Sequence, residues 1–276
     1  MKKVLRIILI FICFLCLLGS NLQAQGCQGK RRSFTFGEKV DYMIYYYLAG
    51  IWVSAGEVYF KVDSARIKDQ LYYHFNSYGT TLKRYDWFYK VRDEYEAYTH
   101  VESFRPLRFK RSVNEGSTYI REDYLFNQKK KEVYTLRKLG EDLPIVKDTV
   151  PSDNCSLDPI STIYYARNID FSNAKIDEEI PLKIFLDNMV YDSYVRYLGK
   201  ENLKIKGLGE FRCIVFTPML IKGTIFNDGE NMTVWVTDDK NRVPLLIETP
   251  ILVGDIRARA TSLSGLRYPL SSKISD

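Results

Sequence analysis

Polar and apolar residues alternate with a period of two along most of the chain after residue 40, which predicts strands. In Val40–Leu48 (VDYMIYYYL) both alternating faces are apolar or aromatic, so both are covered or one lines a cavity. Glu57–Asp63 sets Val58, Phe60 and Val62 against Tyr59, Lys61 and Asp63, the pattern of a half-buried antiparallel strand. Asp69–Tyr78 and Tyr89–Thr99 continue it. Arg105–Val113, Ser117–Phe126 and Glu132–Leu136 read as a meander with turns at 114–116 and 127–129. Leu139–Pro151 is polar and punctuated by Pro144 and Pro151, which predicts a loop. Further strands are expected over 179–186, 189–198, 211–217, 232–237, 243–249 and 254–262. Asp238–Asn241 has the Asp and Asn side chains that favour a hairpin turn.

One stretch changes period. In Cys155–Asn168 (CSLDPISTIYYARN), Leu157, Ile160, Ile163 and Tyr164 recur at three- and four-residue spacing. Asp158 suits the N-cap, Pro159 the first helical position, and Asn168 the end. Many short strands around one helix predict a mainly β protein: a curved antiparallel sheet forming an open barrel, with one central helix packed on or in it. No repeat or linker composition divides the chain. The expected organisation is a signal peptide over 1–24, an N-terminal tail over 25–35, a single β domain over 36–268 and a C-terminal tail over 269–276.

The N-terminus sets the compartment. Lys2, Lys3 and Arg6 precede an apolar run from Ile7 to Leu18, followed by a small, polar stretch, the layout of a secretory signal peptide. The run is short of the roughly 20 residues that span a bilayer. Cleavage after Ala24 is expected, and export follows. Ala24-Gln25-Gly26-Cys27 offers a rival, with Cys27 as a lipidated first residue, although Gln25 and the position of Leu22 depart from a lipobox.

Cys27, Cys155 and Cys213 remain after cleavage. With Cys27 lipidated, Cys155 and Cys213 are free to form a disulfide; the alternative is two buried thiols. The formal charge is +6, three units of which leave with the signal peptide. Basic residues are interspersed with acids, and Lys129-Lys130-Lys131 sits at a turn, so no nucleic-acid partner is expected.

Three motifs carry a family resemblance: Phe36-Gly37-Glu38 with Ala55-Gly56-Glu57, then Asp158-Pro159-Ile160-Ser161-Thr162-Ile163-Tyr164-Tyr165-Ala166-Arg167, then Val234–Asp239 with Arg242-Val243-Pro244 and Val253-Gly254. In this order they resemble DUF3108, a family of exported bacterial proteins without an assigned activity. Ala166 stands where the family often has a larger apolar residue, and the tail after Arg259 lacks the usual apolar ending. The resemblance implies a β-rich exported protein in the periplasm or at the outer membrane of a Gram-negative bacterium. It is similar in fold to periplasmic lipoprotein carriers, and fold does not fix function.

Candidate chemistry is sparse. His74 and His100 have no neighbours at metal-ligand spacing, so no metal site is expected. Ser161 lies inside the helix without a nucleophile elbow, which favours a capping or packing role. Adjacent Asp238 and Asp239 suit a turn better than a catalytic pair. Gly207-Leu208-Gly209 lacks the third glycine and following helix of a phosphate loop, so no cofactor is expected.

Arg167 can complement the helix dipole in a salt bridge or meet an anionic head group. Trp52 and Trp87-Phe88 can fill the core, line an apolar cavity or stack on sugars. Trp52, Trp87, Tyr164 and Arg167 are the candidate ligand-binding residues. The expected function is a non-catalytic envelope protein that binds a lipid or other apolar ligand in the barrel groove. The alternatives are an interaction module without ligand, whose partner is another envelope protein, and a glycan binder or glycan-active protein.

Overall fold

The structure is a computed structural model that describes residues 32–275 except 49, 154, 222–228, 230–231 and 252–253. The expected signal peptide and Cys27 lie outside the described residues. The first meander is β1 (Lys39–Leu48), β2 (Ile51–Ile67), β3 (Gln70–Thr81), β4 (Arg92–His100), β5 (Pro106–Glu115), β6 (Thr118–Asn127), β7 (Glu132–Lys138) and β8 (Val146–Pro151). A helix, α1 (Pro159–Ala166), leads to β9 (Glu179–Leu186), β10 (Met189–Ile205), β11 (Gly209–Pro218), β12 (Thr233–Thr237), β13 (Pro244–Pro250) and β14 (Asp255–Ser264). A short β15 (Lys273–Ser275) pairs with β11.

These strands form one antiparallel sheet in the order β8-β7-β6-β5-β4-β3-β2-β1-β14-β13-β12-β11-β10-β9. The first strand therefore lies between β2 and β14, and joins the two halves of the chain. The sheet is curved and not closed: β8 and β9 are its two ends. Side chains bring those ends together. Phe185 of β9 packs against Tyr124 and Phe126 of β6, with ring centroids 5.4 and 5.7 Å apart. Asp187, at the tight β9–β10 turn, accepts hydrogen bonds from Arg111 on β5 and Arg137 on β7. Leu157, just before α1, takes the free edge of β9: its N–H donates to Lys183 O and its carbonyl accepts from Phe185 N. That edge is thus covered.

The alternation placed the main strands, and two were missed for one reason. Over Leu139–Pro151 a loop was expected, yet 146–151 is β8; β15 lies in the expected C-terminal tail. Both are exposed, polar strands held by backbone pairing at a sheet margin, so they bury no stripe that a periodicity could reveal. β10 runs on from the expected end at 198 to 205, through a register shift at Gly199.

The helix has only eight residues, too few to be stable alone. Capping and packing hold it. Asp158 at the N-cap accepts from Ser161 N at 2.8 Å, and Pro159 occupies the first turn as expected. Ile160, Ser161, Thr162 and Tyr164 are buried, whereas Ile163, expected on the same face, points outward. The interior beneath the helix is filled. Phe34, Phe75, Phe104 and Tyr164 pack ring on ring, with Phe75 and Tyr164 stacked at 4.0 Å. Full burial of each such ring contributes about 1.5–3 kcal/mol. Phe34 belongs to the expected N-terminal tail and is wholly buried at the centre of this cluster.

Candidate functional site

The four candidate ligand-binding residues fall in two places. Tyr164 and Arg167 lie inside the fold. Trp52 and Trp87 lie toward the end of the sheet that carries the β1–β2, β3–β4 and β5–β6 connections.

Arg167 follows the last turn of α1, and its side chain is 4% exposed. Its guanidinium donates to both carboxylate oxygens of Glu38, just before β1. It also donates to the backbone carbonyls of Asn241 and Ser33, at 2.9 and 3.2 Å. Burial opposes its charge, but the Glu38 carboxylate more than offsets this and holds the pKa above its ordinary value. Asn241 in turn holds the C-terminal segment, donating to Tyr268 O and accepting from Tyr268 N. Asp239 accepts from Thr237, Asn241 and Ser272.

At the other end of the helix, Asp158 is fully buried. Its carboxylate accepts from both the backbone N–H and the hydroxyl of Ser161, and the Ser161 hydroxyl also meets Thr99 at 2.6 Å. Burial pushes the Asp158 carboxyl up to about 6 against those hydrogen bonds. One residue from each sequence motif, Glu38, Arg167 and Asp239, thus joins with Asn241 in an interior network that ties the start of β1, the end of α1 and the β12–β13 turn together. The expectation that Tyr164 and Arg167 face a ligand is corrected: one is ring-packed and the other fully engaged, because Glu38 lies 129 residues earlier in the chain and directly beneath.

Of the two readings of Cys155 and Cys213, a mutual bridge or two buried thiols, neither holds for both residues. Cys213 is a free thiol, wholly buried on β11, with its pKa pushed up to about 12, chiefly by burial. Cys155 is disulfide-bonded to a partner outside the described residues, where the chain has Cys13, Cys16 and Cys27.

His74 stacks on Tyr98 and meets Glu96 at 3.0 Å, while His100 accepts from Ser103 N. Among the described residues no group of three or more His, Cys, Asp or Glu side chains could hold a metal ion. Among them, too, no helix is long and apolar enough to cross a membrane. A groove of about 570 Å³ crosses β4–β7, lined by Glu94, Glu96, Lys110, Arg121, Asp123 and Lys138 among others. Two of its carboxylates are engaged: Asp123 takes a two-pronged contact from Arg108, and Glu96 faces His74 and Lys110.

The β3–β4 connection is different. A single 3-10 turn over Lys83–Tyr85 begins it, and Trp87 and Phe88 follow with 84% and 76% of their surface exposed. Its base is braced. Leu82 N donates to Ala55 O, Asp86 pairs with Arg92 and accepts from Thr81, and Gly116 N donates to Lys90 O. The Tyr89 ring lies over Gly116, where a Cβ would come within 2.8 Å. Gly56 of the Ala-Gly-Glu motif lets β3 approach: a Cβ there would sit 2.6 Å from Thr80 O. Trp52, on the neighbouring strand, is about one-third exposed, packed by Tyr47 and capped by Arg257 at 4.2 Å. Neither tryptophan lines an enclosed cavity or fills the core. The missed signal was position: Trp87-Phe88 falls between two strand patterns and is flanked by Lys83-Arg84 and Lys90, whereas a core pair would lie within a strand.

The model of the family described as "Protein of unknown function (DUF3108)" matches residues 41–261. Among solved structures, a β-barrel-like protein of the domain of unknown function DUF1849 from Brucella abortus aligns with a TM-score of 0.55 at 9% identity. The alignment covers 84% of this chain and 98% of that one, a likeness of fold alone. No curated protein matches.

Proposed function

The chain belongs to the DUF3108 family, and from that premise we propose that this protein is a non-catalytic module of the cell envelope that acts through its surface, with its barrel interior filled. The observation that carries this reading is the interior itself. Phe34, Phe75, Phe104 and Tyr164 occupy the space beneath the helix that a lipid chain would need, and Arg167 is neutralised by Glu38. The signal-peptide layout of residues 1–24 supports export. The aliphatic hydroxyls of the helix are committed, Ser161 to Asp158 and Thr99 and Thr162 to the Asp158 carbonyl.

Native mass spectrometry of the protein purified from its own envelope, followed by organic extraction, tests the reading. A protein without extractable ligand is expected. A lipid at near one-to-one stoichiometry, released only on unfolding, would overturn it in favour of a carrier with a lipid inside the barrel.

A further inference from the structure

We propose that the β3–β4 tip, residues 82–92, is a docking device for an anionic lipid surface. The proposal rests on the reading of the protein as a surface-acting module and names the partner of that surface. The segment reads LKRYDWFYKVR. Trp87 and Phe88 stand side by side, with ring centroids 5.9 Å apart, and are the two most exposed large hydrophobic side chains among the described residues. Removing such rings from water is favourable wherever an apolar medium is offered.

The surroundings say which medium. Lys83, Arg84 and Lys90 are exposed and form no ion pair with any described carboxylate, while the lone acid of the tip, Asp86, is neutralised by Arg92. Exposed aromatic rings beside basic side chains that form no ion pair with a described carboxylate, Arg84 donating only to Ser54 O and lying over Tyr85, match a bilayer interface in both respects. The rings enter at headgroup depth and the cations meet the phosphates. The backbone supports the role. The tip is pinned at Ala55 and Gly116, so the rings project from a fixed base and lose little conformational freedom on docking. Ile51, at the adjacent β1–β2 turn, is 64% exposed and lies at the same end of the sheet.

The test is flotation of the purified protein with vesicles of phosphatidylcholine containing phosphatidylglycerol, against phosphatidylcholine alone. Binding is expected to the anionic vesicles, to weaken as salt rises, and to shift tryptophan emission to the blue in the wild type but not in Trp87→Phe. The double variant Trp87→Ala/Phe88→Ala should bind roughly tenfold or more weakly, with an unchanged unfolding midpoint that shows the fold intact. Replacing Lys129, Lys130 and Lys131 by Gln, at the opposite end of the sheet, should leave binding unchanged.

Equal binding by the aromatic variant, or no preference for anionic vesicles, overturns the proposal. So does an envelope protein captured through Trp87 by a chain that ignores vesicles, which would make the tip a protein interface. Failure here leaves the filled barrel standing, and a lipid found inside the barrel would leave the vesicle result standing.

Discussion

Arg167 and Trp87 place the chain's chemistry in opposite surroundings. Around Arg167 a full charge sits away from water, and a carboxylate and two backbone carbonyls meet it. Around Trp87 large apolar rings stand in water on a braced loop, beside the exposed cations Lys83, Arg84 and Lys90, which form no ion pair with a described carboxylate. A buried charge with all its partners present stabilises one arrangement of the chain and has nothing left for a ligand. An exposed ring does little for folding and keeps its capacity to bind. Glu38, Asp158 and Arg167, among the residues that carry the family resemblance, belong to the first kind. They describe how this barrel is assembled, and the second kind is where a function can reside.

The contrast breaks first at Arg167. Arg167→Met leaves the Glu38 carboxylate buried without its cation, and should lower the unfolding free energy by about 3–5 kcal/mol. Urea titration with the disulfide intact measures it. Adding Glu38→Leu removes the orphaned charge, so the double variant should lose less than the single one. A loss below about 1 kcal/mol for Arg167→Met would mean that the network does not hold the barrel together.

A smaller effect lies beneath the tip. Glu115, on β5 beside Tyr89, has its carboxyl pushed up to about 7 by burial and then by the neighbouring Asp93 carboxylate, with Arg111 pulling the other way. The ordinary value is 4.5, so the folded state holds this proton more tightly than the unfolded chain. Its contribution is full below about 4.5 and is lost as pH rises to about 7. Glu115→Gln mimics the protonated form. Its stability relative to wild type should therefore grow across that window and level off above it. The gain should be about 1–2 kcal/mol, once solvent screening of a partly exposed group is allowed for. Parallel pH curves for the two proteins would show that the fold does not hold the Glu115 proton more tightly than the unfolded chain.

How much of this the chain announces depends on the range of the interaction. Strands whose one face is buried announce themselves, as β5 and β6 do, because alternation is local. So does the start of α1, where Asp158, Pro159 and Ser161 lie within four positions. β8 and β15 bury no face and leave no trace in the pattern. Arg167 was legible as a residue with a polar task, but its partner was not, since nothing near it in the chain points to Glu38 or Asn241. Cys213 shows the same limit: three cysteines left its pairing open between a bridge to Cys155 and a buried thiol, and the fold buries Cys213 as a free thiol on β11. Trp87 was legible as aromatic and misplaced in space. A tryptophan's hydrophobicity says that burial would stabilise it, and says nothing about whether the fold or a partner provides the burial.

That last point gives the smallest effect and the sharpest use of the comparison. If Trp87 and Phe88 serve the fold, truncating both should cost as much as emptying a core position, about 3–5 kcal/mol each. If they serve a partner, the free protein should hardly notice. With 84% and 76% of their surfaces in water, the second outcome is expected: Trp87→Ala/Phe88→Ala should change the unfolding free energy by no more than about 0.5 kcal/mol. The neighbouring Tyr89 provides the internal control. Its ring rests on Gly116 and joins the tip to the β5–β6 turn, so Tyr89→Ala should cost measurably more than either of its more hydrophobic neighbours. An order of cost in which Trp87 exceeds Tyr89 would place the tip inside the folding unit and remove the distinction between the two regions.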